Sequence, residues 1–424
     1  MSRRRHGSKS GARRAILDAL GPGLVTGAAD DDPSGIGTYS QIGAQFGFQL
    51  AWTMVFALPL MAAIQQVSAY IGAVTGRGLA GNLKRHYPAW LLRSVLVLLV
   101  VANVANLGAD LSAMGEVTSL IVPGPVLLFT AIFGVVSTLL EIFVSYSTYS
   151  HVLKWATLSL FAYVAVAIVA RIPWDIALAG IFIPSFSFAK EQAMALVAVF
   201  GTTISPYLFF WQADQEVEEQ RRLHTQPLYR HPATADTKLR QIRADTWVGM
   251  GFSQLVALSI IIATAATLHA HGITDIQSAT QAAQALRPIA GTFAFLLFAL
   301  GIIGTGLLAV PVLAGSAAYA ASEVFGWKEG LDRKPMQAKA FYGVIAVAGA
   351  GGVLLSTIGI NPMKALYWSA VLNGLLAPPL MVLVMLLARD RAVMGELRIS
   401  LPLATMGWLA TAVMGGVAAL FLFA

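Results

Sequence analysis

Eleven apolar stretches follow one another along the chain, separated by short polar segments. An apolar stretch of about 20 residues is long enough to cross the hydrocarbon core of a bilayer as a helix. The pattern therefore predicts an all-α polytopic membrane protein with eleven transmembrane helices. These spans are expected near residues 17–46, 49–75, 93–121, 124–146, 151–171, 193–217, 246–268, 289–323, 338–358, 361–388 and 400–423.

Two of these spans are interrupted by proline and polar residues. The first contains Asp-Asp-Asp-Pro-Ser-Gly at 30–35, and the sixth contains Gly-Thr-Thr-Ile-Ser-Pro at 201–206. Proline donates no backbone hydrogen bond, so a break at Pro33 or Pro206 leaves carbonyl oxygens free. A carboxylate inside a membrane span is a candidate functional group. The two breaks together predict a cation site, although a proline that only kinks its helix remains the alternative at each.

The breaks lie in corresponding positions, five spans apart. Interrupted helices in corresponding positions are typical of transporters built from two inverted repeats, with the substrate site at mid-membrane between the breaks. We therefore predict one transmembrane transporter domain over 1–424. It divides into a basic N-terminus at 1–15, repeats at 16–171 and 190–388, and an extra helix at 398–424.

Composition supports a membrane protein and narrows its chemistry. Hydrophobic residues make up 57% of the chain and charged residues 12%. Since there is no cysteine, neither disulfides nor thiolate metal ligands are available. The net charge of +7 does not predict nucleic-acid binding, because 24 of the 28 Lys and Arg residues fall on one side of the predicted spans. By the positive-inside rule, the N-terminus is then cytoplasmic and the C-terminus outside.

Several motifs resemble the NRAMP family of divalent metal transporters, and more closely its divergent bacterial branch of magnesium-transporter-like proteins. They are Gly21-Pro22-Gly23, Asp32-Pro33, Gly-Ala-Gln-Phe-Gly at 43–47, and Trp52, in the family's order and spacing. The resemblance implies a monomer in the bacterial cytoplasmic (inner) membrane, with the amino acid–polyamine–organocation type of fold. It also implies a transporter rather than an enzyme, with divalent metal ions and the lipid bilayer as partners and with no cofactor.

The same resemblance implies a set of metal ligands. Asp32 is the charged ligand, and the backbone carbonyl of Thr202 is the family's ligand in the sixth helix. Ser205 replaces the family's methionine, and Gly35 replaces its asparagine. Asp31 is an additional candidate. The residues expected to line or gate the site are Pro33, Ser34, Pro206, Tyr207, Asp110, Ala370 and Asn373.

The departures from the family pattern favour a harder ion. Methionine sulfur prefers transition metals, whereas a serine hydroxyl at position 205 makes the site all oxygen. Gly35 and Ala370, which replace the family's asparagine and glutamine, remove side-chain ligands and leave space for water. Magnesium keeps much of its water shell in proteins. We therefore expect transport of Mg²⁺, with Mn²⁺ also accepted.

Proton coupling is expected to be dispensable. The family's relay positions hold Tyr207, Gln212, Ala113 and Asn103, none of which titrates near neutral pH. Asp110 leaves residual coupling open. The alternatives are a proton-coupled Mn²⁺/Fe²⁺ importer and, in another class, a sodium-coupled organic solute transporter.

Overall fold

A computed structural model describes residues 26–27, 29–144, 158–187, 189–331 and 333–423. All regular structure in these ranges is helical. The first nine helices are α1 (Pro33–Phe46), α2 (Trp52–Thr75), α3 (Leu79–His86), α4 (Ala89–Ser119), α5 (Val126–Phe143), α6 (Phe161–Val169), α7 (Trp174–Phe182), α8 (Lys190–Thr203) and α9 (Pro206–Arg222). They are followed by α10 (Ala235–Thr267), α11 (Ala279–Ala283), α12 (Arg287–Ala290), α13 (Ala294–Phe325), α14 (Lys339–Ser356), α15 (Pro362–Arg389), α16 (Arg391–Met394) and α17 (Leu401–Phe423).

The predicted all-α membrane architecture is confirmed. Within the described ranges, nine helical segments are long and apolar enough to cross a membrane, and they match nine of the eleven predicted spans. The other two, 17–46 and 151–171, extend into residues outside the description, as do the basic N-terminus and Gly21-Pro22-Gly23. The total of eleven helices and the division into two repeats therefore stay predictions.

Both predicted breaks are present. A helical turn ends at Asp30, and α1 begins at Pro33. In the same way α8 ends at Thr203, and α9 begins at Pro206. Proline suits the first position of a helix because its missing N–H would have no partner there. Each break thus joins two helical segments through an extended residue, Asp32 or Ser205.

The two breaks lie among α4, α10 and α15. Helix α1 packs against α10 and α15, and α8 packs mainly against α15. The contact between α8 and α15 depends on small residues, since an added Cβ at Gly201 would lie 2.1 Å from the Ala370 oxygen and 2.4 Å from the Gly374 nitrogen. This backbone approach places the end of α8 directly against the middle of α15.

Charged residues pair at the end of the bundle that carries the basic segments. Arg221 contacts Glu218 at 2.9 Å and Glu329 at 3.0 Å. Lys238 pairs with Glu216 and Glu219. In addition, α13 is tied to α3: the Glu323 carboxylate accepts the backbone N–H groups of Gly78 at 2.7 Å and Gly81 at 2.8 Å. The carboxylate thereby satisfies two N–H groups at the start of α3 that the helix itself leaves without a partner.

Candidate metal centre

Asp32 is the extended residue of the first break, is almost completely buried and contacts Tyr207 beside the second break. Its Oδ1 accepts the backbone N–H of Gly35 at 2.7 Å, so the side chain caps α1. Its Oδ2 accepts hydrogen bonds from Tyr207 Oη at 3.1 Å and from Asn106 Nδ2 at 2.9 Å. Residues from α4 and α9 therefore meet on one carboxylate at the start of α1.

A second buried carboxylate, Asp110, belongs to the same network. The Asn106 amide also donates to Asp110 Oδ2 at 3.2 Å, so one nitrogen bridges the two acids. Asp110 Oδ1 accepts the backbone N–H of Ser34 at 3.1 Å. None of the ion pairs between described residues involves Asp32 or Asp110. The two carboxylates are therefore held by neutral donors, and no described basic side chain occupies the position beside them that a cation would take.

Asn106 was not among the site residues predicted from the sequence. It lies four positions before Asp110, and such a pair occupies neighbouring positions on one face of a helix. Asn373 donates to Asn106 Oδ1 at 3.1 Å and so orients the amide toward the two acids. The predicted site residue Asn373 thus reaches Asp32 only through Asn106. The four-residue spacing between Asn106 and Asp110 could have indicated that Asn106 shares a helix face with the buried acid.

The residues of the second break form hydrogen bonds within the break. Ser205 Oγ lies 2.8 Å from the backbone oxygens of both Gly201 and Thr202, and it can donate to only one of them at a time. The Thr202 side chain faces α1, because an added Cβ at Gly35 would lie 3.4 Å from Thr202 Oγ1. Tyr207, two residues beyond Ser205, completes the link by its bond to Asp32. The structure therefore brings the predicted α8 and α9 residues beside the first break.

The other two aspartates of the first break have a different partner. Ser253 Oγ, from α10, lies 2.6 Å from Asp30 Oδ2 and 3.1 Å from Asp31 Oδ1. No contact joins Asp31 to Tyr207 or Asn106 among the hydrogen bonds of the described residues. The candidate ligand Asp31 is thus placed with Asp30 and Ser253 rather than with Asp32. Nothing in the local sequence indicates Ser253, since it is one of several small polar residues in an apolar helix.

The remaining predicted site residues surround this network. Ser34 Oγ bonds to α15 through the Leu366 oxygen at 3.1 Å and Ser369 Oγ at 3.0 Å. Ala370 is fully buried, and its carbonyl fills the space beside Gly201. The Pro33 ring lies against Gly306 of α13. These contacts make the position of the first break depend on α13 and α15.

The arrangement has the chemistry of a small cation site with few side-chain ligands. Asp32 offers carboxylate oxygens, Tyr207 a phenolic oxygen bonded to them, and Thr202 a hydroxyl beside Gly35, while the Ser205 hydroxyl lies at the second break. Across the described ranges, no three His, Cys, Asp or Glu side chains converge on one point. An ion held here would complete its coordination with backbone oxygens or water, as hard divalent cations commonly do.

Comparison with known proteins identifies the family. The sequence model described as "Natural resistance-associated macrophage protein-like" (Nramp) matches residues 23–424. The chain belongs to the Nramp family. Membership makes it a membrane transporter rather than an enzyme, and the predicted resemblance is confirmed.

Relatives within the Nramp family match over most of the chain. One similar protein is the divalent metal cation transporter MntH of Klebsiella pneumoniae, 29% identical over 318 residues, which cover 73% of each chain. Another is MntH of Deinococcus radiodurans, 27% identical over 409 residues, which cover 93% of this chain and 87% of the relative.

Solved structures show the same fold. The Eremococcus coleocola manganese transporter superposes with a TM-score of 0.75 at 17% identity, over 100% of this chain and 88% of that one. Mhp1, a nucleobase-cation-symport-1 family transporter, superposes with a TM-score of 0.57 at 14% identity, over 94% and 93% of the two chains. The predicted fold class of the Nramp chain is therefore confirmed.

Proposed function

We propose that this protein transports divalent metal cations by alternating access, with Asp32 as the charged ligand. The observation that carries the proposal is the convergence of Asn106 and Tyr207 on a buried carboxylate between two helix breaks. The names of the relatives support it, since they are divalent metal cation transporters. Broken helices give a transporter backbone oxygens and helix ends with which to bind its ion.

We propose Mn²⁺ and Mg²⁺ as the transported ions. Manganese is supported by the name of the superposed solved structure, which is a manganese transporter. Weak discrimination against magnesium is supported by Ser205, which stands at the second break where the family's methionine is expected and offers a hydroxyl oxygen there. Without a sulfur ligand at that position, the site lacks a group that favours transition metals over hard ions.

We also propose that transport does not require a proton. Two positions of the family's proton relay are engaged in structural hydrogen bonds. Asn103 Nδ2 donates to the Leu313 oxygen at 2.9 Å, and Gln212 accepts from Thr26. Neither side chain titrates near neutral pH. A membrane potential of 100 mV supplies about 4.6 kcal/mol to a divalent ion, which is enough to drive inward flow.

Uptake of Mn²⁺ into proteoliposomes tests all three statements. We expect uptake by the wild type, competition by millimolar Mg²⁺, and no internal acidification reported by a trapped pH dye. Absence of Mn²⁺ and Mg²⁺ uptake would overturn the proposed function. Uptake without competition would overturn the statement on magnesium, and acidification that follows uptake would overturn the statement on protons.

A further inference from the structure

A cavity of about 550 Å³ lies at the basic end of the bundle, between the end of α2, helix α3 and helix α16. This end is the predicted cytoplasmic side, away from the metal centre. Its wall contains Arg77, Arg85, His86 and Tyr229, and no carboxylate belongs to the described residues that line it. The cavity is therefore lined by cationic groups and hydrogen-bond donors without a balancing acid.

The two arginines of this wall form no ion pair with a described acid. Ion pairs between described residues use Arg221, Lys238 and Arg391, and none uses Arg77 or Arg85. Partial burial, and then the charge of Arg85, lower the pKa of the Arg77 guanidinium. The charge of Glu323 acts on Arg77 in the opposite direction, and Arg230 adds positive charge from the turn at 228–230. Three like charges thus repel one another at one place, and a bound anion would relieve that repulsion.

Hydrogen bonds also hold the wall of this cavity in place. The buried amide of Asn82 donates to Thr75 Oγ1 at 2.9 Å, to the Arg77 oxygen at 3.1 Å and to the Gly78 oxygen at 2.8 Å. These bonds fix the turn that carries Arg77. On the opposite side, Arg230 Nε donates to Tyr229 Oη at 2.7 Å.

An adjoining cavity shows that basic residues at this end are not always left unbalanced. It has a volume of about 520 Å³ and shares Arg77 and Arg85 with the first. Its wall also contains Glu323 and Glu329, so acids face the two shared arginines on that side, whereas no described acid lines the first cavity. Excess basic residues on the cytoplasmic side are a general property of membrane proteins. Their convergence on a cavity lined by no described acid distinguishes the first cavity from the adjoining one.

We propose that the cavity between α3 and α16 binds a phosphate-bearing anion. Guanidinium groups match phosphate oxygens with paired hydrogen bonds, and Tyr229 and His86 offer further polar contacts. The volume exceeds that of a single phosphate and falls in the range of sites for larger ligands. The phosphate comes either from the headgroup of an acidic lipid or from a soluble polyphosphate, and the two sources share this chemistry.

The test compares Arg77→Gln/Arg85→Gln with Arg240→Gln in phosphatidylcholine nanodiscs. Arg240 is a matched control, since it lies in the same basic region, bonds to the Asp236 oxygen of its own helix and does not line the cavity. The single variant Arg85→Gln is included because Arg85 is exposed, so its replacement should leave the fold intact. Binding of Mn²⁺ should be the same in all four proteins, which shows that each is folded.

Two arms distinguish the sources. Calorimetry with sodium pyrophosphate tests a soluble ligand, and the rise in Tm on adding phosphatidylglycerol to the nanodisc tests a lipid. In at least one arm we expect the wild type and Arg240→Gln to respond alike. The double variant should bind pyrophosphate about tenfold or more weakly, or should lose the rise in Tm with phosphatidylglycerol. Both expectations follow because the substitutions remove the charged hydrogen bonds from the two guanidinium groups to phosphate. Equal behaviour of the double variant and Arg240→Gln in both arms would overturn the proposal.

Discussion

Tyr207 donates its phenolic hydrogen to Asp32 across 3.1 Å and thereby joins the two helix breaks. The bond connects the first turn of α9 to the residue that caps α1. In the proposed site neither break is sufficient alone, because Asp32 would provide the charge and the second break the neutral oxygens. The proposed transport therefore depends on the two broken helices keeping Tyr207 within hydrogen-bond distance of Asp32.

Asp32→Asn is expected to weaken Mn²⁺ binding by roughly ten- to hundredfold. The substitution keeps the shape of the side chain and removes the charge that would bind the ion, and charged interactions of this kind are worth about 1.5–3 kcal/mol. Calorimetric titration of the purified protein measures the change. Asp275→Asn is the control, since Asp275 is exposed in a connecting segment. Equal affinities for the two variants would show that Asp32 is not the charged ligand.

Ser205→Met is expected to shift preference toward Mn²⁺ and away from Mg²⁺. The variant adds a soft sulfur at the second break and removes the hydroxyl that occupies the Thr202 carbonyl. The measurement is the ratio of the Kd values for the two ions, beside the wild type and Ser205→Ala. Ser205→Ala frees the same carbonyl without adding sulfur. If both variants change the ratio equally, the effect comes from the carbonyl rather than from the sulfur.

Gly201→Ala is expected to lower the Tm. The new methyl group would lie 2.1 Å from the Ala370 oxygen, so α8 and α15 must separate, and overpacking of this kind costs about 1–3 kcal/mol. Thermal unfolding in detergent measures the effect. Gly251→Ala is the matched helix control, because no other group lies within 4 Å of its added Cβ. Its Tm should stay the same or rise slightly, since alanine favours the helix. An unchanged Tm for Gly201→Ala would mean that the two helices separate without cost.

Glu323→Ala is expected to loosen the start of α3. It removes the acceptor of the Gly78 and Gly81 N–H groups, and each donor left without a partner costs about 1–3 kcal/mol where water does not replace the bond. Hydrogen–deuterium exchange of residues 78–86 should become faster. Glu396→Ala, which removes an exposed ion pair with Arg391, should leave that segment unchanged. Unchanged exchange in Glu323→Ala would show that the carboxylate does not hold the helix.

The two breaks could be predicted from the sequence because their cause is local. Pro33 and Pro206 lack an N–H wherever they occur, and Asp32 is a charge beside one of them. The partners of these residues could not be predicted in the same way. Ser253 is as polar as many other residues in apolar helices, and only packing of α10 against the first break brings it to Asp30 and Asp31.

The contacts of small residues are equally hard to predict from the sequence. The sequence indicated that Ala370 leaves space where the family has a longer side chain. In the folded chain, the backbone of α8 approaches the Ala370 carbonyl closely through Gly201. Side-chain volume can be read from a sequence, but the distance between two helix backbones cannot. The ligands that depend on this distance are therefore the least predictable part of the site.

The cap of α1 has a consequence for how an ion would be sensed. Asp32 Oδ1 holds the N–H of Gly35, so an ion that binds this oxygen competes with the first turn of the helix for the same lone pairs. At the proposed site, binding of a cation would weaken the bond that fixes the first turn of α1, and its release would restore that bond. One carboxylate oxygen thereby links occupancy of the site to the freedom of the helix to tilt.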